Sequence, residues 1–295
     1  MDYLLATRPR FLTITLLGCL IGFMTVRDAT GSLPVLVFGV VLALVAHAGA
    51  NLLNDYHDHL NGSDQINTDR ISPFTGGSRF IQDGVISPQH VKGLALGLFL
   101  AVVTGGLVIC FLTTGNLLWV GAAGLLVGWA YSAPPLKLMA RGVFGELGIA
   151  LAWGLIVVGA SMLMVPVPGL STLLQAGAFG LMAAAILYVN QIPDINADRQ
   201  AGKMTLAVRT RAGCFGTWYG LLCLAAYGLL MSGFLSGSLT GLALMPLCTA
   251  PFALYLVHSL NGPLSDRAVQ ETLIKRSILH THVFGGLMLM QWLVP

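Results

Sequence analysis

The chain alternates between long apolar stretches and short polar ones. Apolar runs lie at residues 11–27, 33–53, 93–112, 116–133, 143–165, 173–192, 214–234, 239–260 and 276–294. A helix that crosses a bilayer needs roughly 20 such residues. Runs such as Gly93 to Leu112 are continuous rather than alternating, which selects helices over the strands of a transmembrane barrel. The pattern predicts an all-α, polytopic membrane bundle of about nine transmembrane helices, one domain over residues 1–295. Hydrophobic residues make up 56% of the chain and charged residues 9%, against roughly 25% charged in soluble proteins. The lipid bilayer is therefore the expected solvent.

Charge then orients the bundle. Every Lys and Arg except Arg27 falls on the N-terminal arm or on loops that share its side. These are Arg8 and Arg10; Arg70, Arg79 and Lys92; Lys137 and Arg141; Arg199, Lys203, Arg209 and Arg211; and Arg267, Lys275 and Arg276. Loops rich in Lys and Arg stay in the cytoplasm. The N-terminus is thus placed in the cytoplasm and the C-terminus outside. All carboxylates but Asp28 lie on that same side, which the topology rule does not require, so chemistry is expected at the cytoplasmic face. The net charge of +3 adds little, because topology accounts for the basic residues, and no nucleic-acid partner is expected. The five cysteines form no CxxC pair and are expected to be packing residues. The first apolar stretch follows Arg8-Pro9-Arg10 without a clear cleavage site and is taken as a retained helix.

Two polar segments interrupt the pattern, at the ends of the second and sixth apolar stretches. The first contains Asn51, Asn54, Asp55, Asp58 and Asp64, the second Asn190, Asp194, Asp198 and Lys203. If each continues its helix, Asn51, Asp55 and Asp58 share one face, and so do Asn190, Asp194 and Asp198, with Pro193 a point where the second helix can kink. A shift of 139 residues superposes Asn51 and Asp55 on Asn190 and Asp194, which suggests an internal repeat of helices 1–4 as 5–8, with helix 9 added. Carboxylates near lipid are costly, and mutual repulsion opposes their ionisation unless a cation lies between them. Mg²⁺ takes oxygen ligands, usually one or two carboxylates with phosphate oxygens and water. Two aspartate pairs facing each other would suit two Mg²⁺ ions holding a diphosphate. The remaining negative charge would need Arg70, Arg79, Lys137, Arg141, Arg199, Lys203 and Arg209, all on the same side.

Those residues resemble the UbiA superfamily of intramembrane prenyltransferases. The family's NDxxD motif is matched by Asn54, Asp55 and Asp58, and its DxxxD motif by Asp194 and Asp198. The stretch Asn54 to Asp64, the Arg8-Pro9 start, Asp69-Arg70, Gly76-Gly77-Ser78-Arg79, Gly84, and the run from Tyr131 to Glu146 look most like the 1,4-dihydroxy-2-naphthoate polyprenyltransferase branch of menaquinone biosynthesis. Many members place a third aspartate four residues after the second. Here that position is Gly62, and Asp64 is the candidate.

The resemblance implies an Mg²⁺-dependent enzyme of a bacterial inner membrane that moves a polyprenyl group from its diphosphate to an aromatic acid. Asp55, Asp58, Asp64, Asp194 and Asp198 are then the metal ligands, and Lys203 and Tyr131 act at the reacting centre. Asn51, Asn54, Arg70, Arg79, Lys137, Arg141, Asn190, Arg199 and Arg209 bind substrate. Glu146, paired with Lys137 or Arg141, is a further candidate for the acceptor's acid and hydroxyl groups. Three alternatives compete. One is a superfamily member using 4-hydroxybenzoate or another ring. A second is a magnesium-dependent alcohol phosphotransferase, whose DGxxAR-type stretch is missing here. The third is an ion-coupled transporter, which would place its charges nearer mid-membrane.

Overall fold

The computed structural model describes residues 1–290. The ninth apolar stretch, 276–294, therefore runs partly outside the described residues. The long helices are α1 (Leu12–Met24), α2 (Leu33–Asn61), α3 (Pro88–Leu112), α4 (Leu117–Ser132), α5 (Phe144–Ser161), α6 (Leu170–Asn190), α7 (Phe215–Leu235), α8 (Ala250–Leu260) and α9 (Arg267–Leu289). A 3-10 stretch, Gly241–Thr249, leads into α8.

Among the described residues, α2, α3, α5, α6, α7 and the joined segment Gly241–Leu260 are long and apolar enough to cross a membrane. Helices α1 and α4 are apolar but shorter. Helix α9 carries Arg267, Glu271, Lys275 and Arg276 in its first half.

Local chemistry sets several ends. The Ser87 hydroxyl accepts from the His90 amide and Pro88 opens α3, the position where a missing N–H costs nothing. Gly62 closes α2 with φ of 82°, a left-handed conformation that glycine adopts without penalty. As a result α2 runs two turns past its predicted apolar end at residue 53 and carries the first aspartate segment as helix.

Helix α5 lies between α1 and α6 at backbone-contact distance. A Cβ on Gly22 would fall 2.3 Å from the Val157 carbonyl oxygen, and one on Gly180 would fall 2.1 Å from that of Ala150. Small residues permit this approach where lipid supplies no hydrophobic drive between helices. The main core gathers around Phe179, Tyr188, Tyr219 and Phe284, and a smaller one around Leu52, Leu53 and Ala95.

The polar loops and the N-terminal arm meet at one end of the bundle. A parallel pair of two-residue strands, β1 (Arg141–Gly142) and β2 (Met204–Thr205), ties the α4–α5 loop to the α6–α7 loop. The Asn196 amide donates to Asp69 at 3.1 Å, and the Arg267 guanidinium donates to the Arg70 carbonyl.

Candidate active site

Helix α2 presents Asn51, Asn54, Asp55 and Asp58 on consecutive turns, and each is fixed by a specific partner. Asn51 donates to the Thr7 carbonyl at 2.9 Å, which anchors the N-terminal arm. Arg8 follows in the left-handed region, φ 56°, and its guanidinium pairs with Asp55 Oδ1 and reaches Asn54 Oδ1 at 3.5 Å. Asp55 Oδ2 accepts from the Ser78 amide at 3.1 Å. Asp58 accepts from Asn54 at 3.1 Å and from Asn61 at 3.2 Å.

The second segment departs from the expected geometry. Helix α6 stops at Asn190, and residues 191–194 form a turn before a short helix, Ile195–Gln200. Pro193 has no amide hydrogen to continue a helical ladder. Asn190 therefore belongs to one helix and Asp198 to another, and they do not share a continuous face. Asp194, at the N-cap of the short helix, is held by the loop after α2. Asn67 donates to its Oδ1 at 2.8 Å and the Gly76 amide to its Oδ2 at 3.2 Å.

Lys203 joins the two segments. Its Nζ lies 3.1 Å from Asp58 Oδ2 and 3.4 Å from Asp198 Oδ1. Its amide donates to the Asp198 carbonyl at 2.8 Å, and β2 follows directly. Burial pushes Asp198 up to about 7, with Lys203 opposing the shift, and pushes Asp64 up to about 6. Burial also raises Asp194. The surrounding carboxylates hold Lys203 well above its ordinary range despite its burial.

Both segments open onto one cavity of about 310 Å³. Its wall includes Arg8, Asn51, Asn54, Asp58, Asp64, Tyr131, Asn190, Asp194, Asp198 and Lys203. Asp55 stands behind that wall, beside Arg8 and Ser78. A second cavity of about 370 Å³ is lined mostly by apolar groups, including Phe99, Leu107, Ile109 and Leu163. His47, Ala50, Gly128, Ala152 and Trp153 line both.

The basic residues chosen from charge alone fare differently. Arg70, Arg79, Lys137, Arg141, Arg199 and Arg209 are not in the cavity wall. Arg79 donates to the Asp64 carbonyl, Arg141 to the Pro135 carbonyl at 2.7 Å and Arg209 to the Met204 carbonyl at 3.2 Å. Lys137 and Arg199 are exposed. Glu146 is buried, Lys137 is exposed and Arg141 is engaged with the Pro135 carbonyl, so its expected pairing with Lys137 or Arg141 is not formed. Sequence reasoning missed Arg8 as a carboxylate partner, and it missed Asn67. It also missed the Gly76–Ser78 backbone, where only the double glycine beside an aspartate-rich stretch gave a signal.

The donor set suits a hard cation. It is all oxygen, and the buried Asn67 Oδ1 and Asn190 Oδ1 have no hydrogen-bond partner. A Cβ on Gly77 would lie 2.5 Å from Asp64 Oδ2 and 3.3 Å from Asp55 Oδ1, so bare backbone passes against the carboxylates. Among the described residues, no three His, Cys, Asp or Glu side chains are grouped closely enough to hold a metal unaided. That is compatible with Mg²⁺, which keeps waters and completes its shell with substrate phosphates.

The model of the UbiA prenyltransferase family matches residues 15–279. The 1,4-dihydroxy-2-naphthoate octaprenyltransferase of Escherichia coli (strain K12) is 30% identical over 257 residues, covering 82% of this chain and 80% of that protein. UbiA prenyltransferase domain-containing protein 1 of Xenopus tropicalis is 29% identical over 294 residues, covering 92% and 76%. The structure of a UbiA homolog from Archaeoglobus fulgidus bound to GPP and Mg²⁺ superposes with a TM-score of 0.72 at 17% identity, over 98% of this chain and 99% of that one.

Proposed function

The chain belongs to the UbiA prenyltransferase family, and on that premise we propose that it transfers a polyprenyl group from polyprenyl diphosphate to 1,4-dihydroxy-2-naphthoate at the cytoplasmic face of a bacterial inner membrane. The observation that carries the proposal is the juxtaposition of two cavities. One is lined by carboxylates from both aspartate segments, and it adjoins an apolar one large enough to receive isoprenoid carbon. The relative whose printed name includes this acceptor supports the choice of ring.

Asp55, Asp58, Asp64, Asp194 and Asp198 are assigned to two Mg²⁺ ions. The chemistry those ions supply is neutralisation of the diphosphate and of charge growing on the leaving oxygen. Lys203, already between Asp58 and Asp198, adds a fixed positive charge at the same place. Charge placed in advance is worth most where water is excluded. Arg8 balances Asp55 and stands in the same wall. The Tyr131 ring, also in that wall, offers a π face to an allylic cation, an interaction of about 0.5–2 kcal/mol. The apolar cavity takes the first isoprene units and keeps water from the cation. The aromatic carbon then attacks, its carboxylate leaves as CO₂, and the ring regains aromaticity.

The test is product analysis. Purified protein is incubated with Mg²⁺, a polyprenyl diphosphate and either 1,4-dihydroxy-2-naphthoate or 4-hydroxybenzoate. Mass spectrometry should find the prenylated, decarboxylated naphthalene product. Product from 4-hydroxybenzoate alone would reassign the acceptor, and none from any ring would remove the proposal.

A further inference from the structure

The apolar cavity has an outlet. Among the described residues, the lining positions that are also exposed are Val103 and Leu107 on α3 and Leu118, Gly121 and Ala122 on α4. No lining residue on α1, α2 or α5 is exposed. The cavity therefore reaches the outer surface between α3 and α4, two apolar helices whose outward sides face lipid. Its other end adjoins the charged cavity, with which it shares Gly128 and Trp153 among others.

Glycines hold that route open. Two others in the lining are packed: a Cβ on Gly39 would fall 2.3 Å from the Leu163 side chain, and one on Gly159 would fall 3.6 Å from that of Val120. Gly106 on α3 and Gly121 and Gly124 on α4 also line the cavity, yet a Cβ on any of them would meet nothing within 4 Å. No helix contact requires glycine at these places. What the missing side chains leave is free width in the cavity. Gly128, Gly124 and Gly121 succeed one another along one face of α4. That face runs about 10 Å, from the junction with the charged cavity to the exposed surface.

A cavity of about 150 Å³ accepts a benzene ring. By that measure the 370 Å³ of the apolar cavity takes roughly fifteen carbons, or about three isoprene units. A longer donor has to place the rest of its tail elsewhere, and lipid is the apolar medium beyond the wall. We propose that the tail of a long donor leaves the protein between α3 and α4, and that Gly106, Gly121 and Gly124 set which donors are accepted by keeping that outlet wide enough for the chain. This deepens the function proposed above and rests on its placing the first isoprene units in the apolar cavity. A donor whose tail ends inside the cavity does not need the outlet, and a long one does. A larger side chain at these glycines should therefore act on long donors alone.

The experiment compares donors of different length. Purified wild type, Gly121→Leu and Gly124→Leu are assayed with Mg²⁺ and 1,4-dihydroxy-2-naphthoate, using geranyl diphosphate or octaprenyl diphosphate. In each variant kcat/KM for octaprenyl diphosphate should fall about tenfold or more, the scale of overfilling a packed site, while that for geranyl diphosphate should stay within about twofold. Gly97→Leu is the control, on α3 but outside the cavity and with nothing within 4 Å of its Cβ. It should leave the ratio of the two donors unchanged. An unchanged ratio in both cavity variants, or an equal shift in Gly97→Leu, would overturn the outlet. A second measurement needs no variant. A geranylgeranyl diphosphate analogue, whose last isoprene unit lies beyond the roughly three that the cavity holds, carries a photoreactive group at its tail end. It is bound to wild type with Mg²⁺ and illuminated. Peptide mapping should place the label on α3 or α4, and label confined to other helices would overturn the outlet. If wild type prenylates the ring while these contrasts fail, the outlet alone is wrong. If wild type prenylates no ring with either donor, the proposed function is wrong.

Discussion

The two aspartate segments reach one cavity by different physical routes. In the first, Asp55 and Asp58 ride on α2, whose backbone ladder already fixes their spacing, and the nearby Asn54 and Asn61 steady Asp58 from within the same helix. In the second, the helix has ended. Asp194 caps a short helix after a proline turn and is held by Asn67 and Gly76, more than a hundred residues away in the chain. The first segment is positioned by local structure and the second by the loop that follows the first. Lys203 closes the connection by touching one carboxylate of each. Damage to the loop of residues 67–78 should therefore disable the second segment, whereas in the first it removes the Ser78 amide from Asp55 and leaves Asp58 held from within α2.

The largest effect should come from deleting either anchor. Asp55→Ala and Asp194→Ala should each lower prenyl transfer by about 10³-fold or more, since leaving-group charge is stabilised there, while inserted and folded protein is retained. Turnover near wild type in either purified variant would break the symmetry of the two segments. Next comes Gly77→Ala. Position 77 has φ of 72°, and a Cβ there meets the carboxylate of Asp64 at 2.5 Å. Turnover should fall about 100-fold, the scale of losing a preorganised catalytic contact, and steady-state assay of the purified variant measures it.

The paired asparagines sharpen the comparison directly. Asn67→Ala should cost about 10–100-fold in Mg²⁺-dependent activity, as outer partners of metal ligands do. Asn54→Ala should cost less, because Asn61 and Lys203 still hold Asp58. A Mg²⁺ titration of activity in both variants separates them, and equal losses would contradict the distinction.

The smallest effect is that of pH. Asp198 sits at about 7 and Asp64 at about 6, both raised chiefly by burial from an ordinary 3.8. Their ionised forms are needed to hold a cation, so Mg²⁺-dependent diphosphate binding should strengthen from pH 6 to pH 8. The ligand-free protein should show the opposite sign. Between about pH 4 and pH 7 the folded chain keeps protons that an unfolded chain has released, so its stability falls as pH rises. Melting temperatures across that range, with and without Mg²⁺ and diphosphate, test both signs.

Much of this arrangement was legible in the sequence, for identifiable reasons. Continuous apolar runs marked the helices because a bilayer leaves few ways to satisfy a buried backbone. Asp55, Asp58, Asp194 and Asp198 stood out because carboxylates beside lipid require compensation. The bend at Pro193 was foreseen as a kink and proved a full break, which removed the continuous face drawn through Asn190. The basic residues were the least legible. Charge distribution tells which side of a membrane a residue occupies but not how far it stands from a site. Lys203 lies between two carboxylates, while Lys137 and Arg199 remain exposed. Arg8 was hidden because its reach depends on a left-handed turn and on Asn51 holding Thr7. Asn67 acts only through a contact that spans much of the chain.

The central claim is that the two segments grip one diphosphate jointly through divalent ions. The most direct measurement is calorimetric titration of prenyl diphosphate into purified protein with Mg²⁺ or with EDTA, on wild type, Asp55→Ala and Asp194→Ala. Joint binding predicts tight association only in wild type with Mg²⁺, and its loss in EDTA and in both variants. Wild-type affinity persisting in EDTA, or in either single variant, would contradict it.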